Sequence, residues 1–256
     1  MSDESAPSVL APSETELAMT VAALRSADPA ERDDIAYPQL VRWIPLLTDA
    51  RRLALGDTMV TRFTDPEVQA RTFAALVLAK VVAAGTLRAE WIAAFTRWYR
   101  DEDDLRGYDS ALGWLHAVAH GSDLLAALGQ HPAVDPVPLL ALGAARLLEP
   151  TAHVFDAMED DRLGFALALT LTRPELTERQ AVDWLDVIAE RFESGTPGPV
   201  PAEISNTMRT LRVVHLLAAR GVRPHWGEPE VLALPHGAAV GERIAEVLRI
   251  AAPYPG

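Results

Sequence analysis

The chain predicts an all-α fold, on three observations. Ala and Leu dominate a composition in which 49% of residues are hydrophobic but only 6% aromatic. That balance suits helices, which pack well without β-branched side chains. Apolar residues recur at helical spacing through most of the chain, and the period-two alternation of a half-buried strand is almost absent.

Residues 1–12 are acidic and Pro-rich and predict a disordered lead, leaving 13–256 as a single helical domain. Ser13 and Glu16 have capping-box spacing, so a helix should run from there to about Arg25 and break at Asp28-Pro29. Tyr37 to Leu47 resumes the pattern with a kink or end at Pro45, and Arg51 to Phe63 follows. Asp65-Pro66-Glu67 opens a stronger helix, with acids at its positive end, that continues to Ala84 and stops at Gly85. Thr86 is the expected cap of the next, Leu87 to Glu102. A helix over Ser110–Leu128 precedes His131-Pro132, and others fall at Pro138–Leu148, Met158–Leu171, Glu178–Phe192, Ile204–Ala219 and Ala239–Ala251. Thr177 and Gln180 supply a second capping box. Ser194–Pro201 and Arg223–Pro229 read as loops.

Composition excludes several functions. The absence of Cys removes disulfides, thiolate nucleophiles and Cys-ligated metals. A net charge of −13 opposes nonspecific binding to nucleic acid or to an anionic membrane. Lys80 is the sole lysine, set in the apolar run ALVLAKVVAAG, and is an unpromising Schiff-base residue. No leading segment looks like a signal peptide, and the apolar runs are too short to span a bilayer, so a cytoplasmic protein is the expectation.

A faint internal echo points to repeats. Arg71, Phe73, Leu78, Leu87 and Trp91 match Arg162, Phe165, Leu171, Leu176 and Trp184 in order. Each set is an Arg-led apolar helix, a loop, and a Trp-bearing helix. Asp65 to Arg71 also resembles the start of the second helix of HEAT-type repeats. An α-α superhelix, a HEAT-like or irregular solenoid, would account for both, because each helix pair buries its apolar face on its neighbours.

Trp98 to Leu125 is the richest stretch in reactive side chains. Within it, Leu105-Arg106-Gly107-Tyr108, Gly113-Trp114, and His116-Ala117-Val118-Ala119-His120-Gly121-Ser122-Asp123-Leu124 resemble a bacterial family catalogued as domain of unknown function 2785. Glu159-Asp160-Asp161-Arg162-Leu163 and Trp184-Leu185 are similar to its later motifs. The similarity covers roughly Ile35 to Arg220. It implies a helical, HEAT-like protein and brings no established activity or catalytic residue.

On one helix, His116, His120 and Asp123 would share an arc of about 60°, beside a small-residue stripe of Gly113, Ala117 and Gly121 that admits a close neighbour. Three readings follow. His116 and His120 could chelate a divalent metal, with a third ligand from Asp103, Asp104, Asp109 or Glu159. The zinc-protease pattern is not met, because Ala117 stands where its Glu belongs. Alternatively, a carboxylate orients one imidazole as a general base, and Arg106 binds an anionic group. In the structural reading, the histidines satisfy buried partners and the DEDDLRGYD turn caps the following helix. The candidate binding residues are therefore Asp103, Asp104, Arg106, Tyr108, Trp114, His116, His120, Asp123 and Glu159. The expected function is a binding or interaction module for a protein or small-molecule partner. The alternative is a metal-assisted or acid–base hydrolase centred on His116 and His120. Trp91, Trp98 and Trp184 read as core. His131, His153, His215, His225 and His236 read as isolated packing or surface residues, and Arg209 and Arg212 as a solvated or ion-pairing face.

Overall fold

The computed structural model describes residues 10–196, 198–224, 227 and 229–252, and these are mostly helical. Most of the expected lead, His225, and parts of the two expected loops lie outside them. Helix α1 (Glu14–Ala23) begins at the predicted capping box: Ser13 N–H donates to the Glu16 carboxylate at 2.8 Å, and Glu16 N–H returns to the Ser13 hydroxyl. A π-helical turn, Ala30–Ala36, runs into α2 (Tyr37–Trp43), which Pro45 ends in a 3-10 turn. Helices α3 (Asp49–Thr61) and α4 (Val68–Ala83) follow, then α5 (Ala89–Asp101). Thr86 does not cap α5. Arg88 holds that position, and the Thr86 hydroxyl instead accepts from Arg52 Nε at 2.9 Å, tying the α4–α5 turn back to α3.

A short hairpin, β1 (Tyr108–Asp109) and β2 (Gly113–Trp114), precedes α6 (Ala117–Gln130). Next come α7 (Val137–Leu148) and α8 (Glu159–Thr170). The helix expected over Glu178–Phe192 is split into α9 (Glu178–Val182) and α10 (Asp186–Glu193) by a 3-10 turn in which the Trp184 indole donates to the Ala181 carbonyl. The Thr177–Gln180 capping box forms as read. Helices α11 (Ala202–Arg220) and α12 (Gly237–Ala251) complete the described chain.

The helices form two rows. In one, α4 packs on α6, α6 on α8, α8 on α11 and α11 on α12. In the other, α3 contacts α5, α5 contacts α7 and α7 contacts α10. Helix α4 is buried nearly all round, as its continuous apolar run requires. In the second row the indole N–H groups of Trp91 and Trp98 reach Asp57 and Glu102, so the tryptophans are core residues as expected. The small-residue stripe finds its neighbour in Tyr99: a Cβ on Gly121 would sit 2.1 Å from that ring. The Tyr99 hydroxyl donates to Val118 O and lies 2.9 Å from Ser122 Oγ, pinning α5 to α6.

Arginines close helix ends. Arg146 Nη1 donates to the carbonyls of Tyr99, Arg100 and Glu102 at the end of α5, and Arg173 Nη1 to those of Gly129 and His131 at the end of α6. Both are buried, so carbonyls that water cannot reach gain a cationic donor at the negative helix terminus.

Candidate functional site

The predicted helix over Ser110–Leu128 starts only at Ala117. The hairpin takes up residues 108–114, and His116 is the helix N-cap, in the left-handed region at φ 51° and ψ 43°. The cause is local. Leu115 and His116 N–H groups bond back to the carbonyls of Gly107 and Arg106 while His116 O accepts from His120 N–H, so the chain must reverse at His116. Met158, at the N-cap of α8, is also left-handed, with φ 66°. Such a backbone at a non-glycine residue costs roughly 1–3 kcal/mol and persists only when its surroundings fix it. The single polar face expected for His116, His120 and Asp123 is therefore reduced to His120 and Asp123.

Buried Arg32, on the π-helical turn, fixes the hairpin from below. Its guanidinium donates to Leu112 O at 2.6 Å, Trp114 O at 3.3 Å and Ser26 O at 3.0 Å, pairs with Asp33, and lies 4.8 Å from the Phe73 ring centre. Tyr108 and Trp114 meet edge to face across the hairpin, and both are exposed. Trp114 then stacks on His116, with ring centres 4.5 Å apart and planes 5° apart. His116 lies 5.6 Å from His120, which meets Phe73 edge-on.

Glu159 faces His116 from the first turn of α8, its Oε1 3.4 Å from His116 Nδ1 and its Oε2 accepting Ala157 N–H at 2.9 Å. It is wholly buried, and Gly107 makes room for it: a Cβ there would lie 2.3 Å from Oε1. Burial pushes the Glu159 carboxyl up, but His116 and the N–H groups of Glu159 and Ala157 outweigh it, and the net shift is below the usual carboxylate range. His120 is 6% exposed. Burial first, then the neighbouring His116, hold its pKa well below that of a free imidazole, so it is neutral at pH 7. Its Nδ1 has no hydrogen-bond partner.

His120 also lines an open groove of about 1020 Å³ bounded by α4, α6 and α8. The walls are largely apolar, with Leu76, Ala79, Ala83, Ala126, Phe165 and Leu169 among them, and Tyr37, Lys80, Asp123 and Arg162 contribute polar groups. Asp123 and Arg162 form a two-pronged ion pair across α6 and α8, with Nε–Oδ1 at 3.1 Å. Burial raises the Asp123 pKa against the pull of Arg162. Burial likewise raises that of Tyr37, keeping its hydroxyl a donor.

Of the other candidates, Arg106 is already engaged by Asp104 on one side and Asp109 on the other, so its fork is not open to an anion as expected. Asp103 lies in a different depression, with Phe63, Arg71 and Trp98. Neither Asp103 nor Asp104 is brought to the histidines; of the acids expected as a third ligand Glu159 approaches His116, while Asp123 shares the groove with His120. Among the described residues, no group of three or more His, Asp or Glu side chains is placed to hold a metal ion. Asp160, next to Glu159, pairs with Arg209 at 2.7 Å. Sequence reading missed the groove's Tyr37 and Lys80, and named Arg162 only within the repeat echo. One signal was available for Lys80: it is the single lysine in a chain whose other side-chain cations are arginines.

The fold and site thus define an all-α protein with a mixed polar and apolar groove between neighbouring helices. The family described as a protein of unknown function, DUF2785, matches residues 58–216, more than half the chain, and the chain belongs to that family. The match takes in α4 to α8, and with them His116, His120, Asp123, Glu159, Arg162 and Lys80. No curated protein and no solved structure matches the chain. Among the described residues no helix is long and apolar enough to cross a membrane.

Proposed function

We propose that this chain is a helical-repeat protein of the HEAT-like, α-α superhelix kind that binds a small ligand in the groove between α4, α6 and α8. The repeat reading is supported by the two rows of helices and by the echo positions: Arg71 and Phe73 lie on α4, and Arg162 and Phe165 on α8. The matching Trp91 lies on α5 in the other row, and Trp184 lies in the 3-10 turn that leads into α10 of that row. The ligand reading rests on one observation, the lining of the groove. Apolar walls surround a small set of polar groups, as in small-molecule sites, which span roughly 300–1,000 Å³; this groove, at about 1020 Å³, is at the upper end.

The test is thermal unfolding of the full chain with octanoate, 1-octanol and octylammonium, which share an apolar body and differ in head group. A ligand of the folded state raises Tm as its concentration rises, and at a hundredfold excess over Kd adds about 2.7 kcal/mol to the unfolding free energy. At least one of the three should do so. A Tm unmoved by all of them contradicts the reading.

A second reading, acid–base hydrolysis centred on His116 and His120, is favoured by the approach of buried Glu159 to His116 Nδ1. A carboxylate there selects the imidazole tautomer and leaves Nε2 to take a proton. Hydrolysis of a nitrophenyl ester that drops at least about a hundredfold in H116Q, with folding intact, would support it. Equal rates in the two proteins would dismiss it.

A further inference from the structure

We infer that the groove's ligand is an amphipathic monoanion, an apolar chain ending in one carboxylate, with Lys80 as the residue that reads the charge. The inference rests on the ligand-binding reading above and adds the chemical class.

Lys80 is the only lysine among 23 basic residues, in a chain with 36 acidic ones. In such an excess of carboxylates a surface cation is expected to find a partner, and most arginines here do. Lys80 lines the groove, is exposed, and forms no ion pair with any described residue. Arg162 and Asp123 cancel each other in their closed pair. The charge left over at the polar part of the groove is a single ammonium. One further group there lacks a hydrogen-bond partner: His120 Nδ1, on a ring more than nine-tenths buried.

Charge complementarity excludes the neighbouring classes. A cationic ligand would meet the unpaired Lys80 ammonium at the polar part of the groove and be repelled by it. A phosphate monoester would bring nearly two negative charges against one free cation, beside Asp123. The apolar walls suit a hydrocarbon body, since each buried methylene contributes about 0.8 kcal/mol.

Because Lys80 is unique, amine acylation of the full chain reports on that one side chain, with the N-terminal amine as an internal control. The experiment measures the rate of Lys80 acylation by an N-hydroxysuccinimide ester, read by mass spectrometry, with and without octanoate, 1-octanol and octyltrimethylammonium, a cation with no amine for the ester to acylate. Calorimetry of octanoate with wild type, K80Q and K80R accompanies it. Saturating octanoate is expected to slow Lys80 acylation and leave the N-terminus unaffected. K80Q should weaken octanoate about tenfold, the loss of one charged hydrogen bond, and K80R should retain most of the affinity. Protection by octyltrimethylammonium or octanol equal to that by octanoate would overturn the head-group assignment while leaving the groove a binding site. So would octanoate binding that K80Q does not weaken. Failure of all three compounds to bind would remove the groove reading together with the inference.

Discussion

Helices α6 and α8 meet in two quite different ways along their length. At their N-terminal ends the contact is closed and polar. His116 and Met158 hold left-handed caps, Glu159 is sealed against Gly107, and the His116–Glu159 approach is covered by Trp114. Further along, the same helices open into the groove, where the Asp123–Arg162 pair is partly exposed and Lys80 stands unpaired on α4. The closed end has the features of a fixed structure, in which a side chain added at Gly107 must displace Glu159 or Ala157. The open end has room, partial solvation and unused donors. The same polar residue types are therefore sealed at one end and open to solvent at the other.

The largest effect is expected at the closed end. In G107A the new Cβ would lie 2.3 Å from Glu159 Oε1 and 2.4 Å from the Ala157 Cβ. Crowding of this kind costs about 1–3 kcal/mol. Urea unfolding at pH 7 should show that loss with an unchanged m value, and a wild-type midpoint would mean that Glu159 is not held there.

His120, where the closed and open regions join, should give a pH signature. Its folded pKa is depressed, so the unfolded chain binds a proton that the folded chain refuses. Its contribution to stability is full above about pH 6.5, the unfolded imidazole value, and is lost as pH falls toward the folded pKa, at up to about 1.4 kcal/mol per pH unit. Unfolding free energies between pH 7 and 5 should fall less steeply in H120N than in wild type. Parallel slopes would place His120 in contact with water.

Smaller effects belong to the open end. D123N breaks a pair whose two side chains are 30% and 41% exposed, and should lower stability by no more than about 1 kcal/mol. K80Q should change it by less than about 0.5 kcal/mol. Chemical denaturation measures both. A loss of several kcal/mol in either would mean that the groove is part of the folding core, erasing the contrast with the closed end.

Much of the helical framework was legible in the sequence, because local chemistry decides it. The boxes at Ser13–Glu16 and Thr177–Gln180 form with their own backbones, and the long apolar run of α4 must be buried. The face shared by His120 and Asp123 was legible for the same reason. The place of His116 was not, since its conformation follows from backbone bonds to Arg106 and Gly107, whose spacing carries no periodic signal. Nor was the groove. Lys80, Asp123 and Arg162 come from three helices, and α4 is too uniformly apolar for its period to single out the lysine's face. Arg106 misled for the opposite reason: its fork matches an anion, but Asp104 and Asp109 lie two and three residues away and occupy it first.

The central claim, that the space between α4, α6 and α8 receives a ligand, is tested most directly by filling it. Ala83 is exposed at the end of α4 and lines the groove, so an indole there takes up volume without displacing core. Calorimetric titration of A83W with octanoate, alongside an unfolding curve, is the measurement. Affinity at least about tenfold weaker than wild type, with an unchanged unfolding midpoint, is the predicted result. Undiminished octanoate affinity in the filled groove would contradict the account.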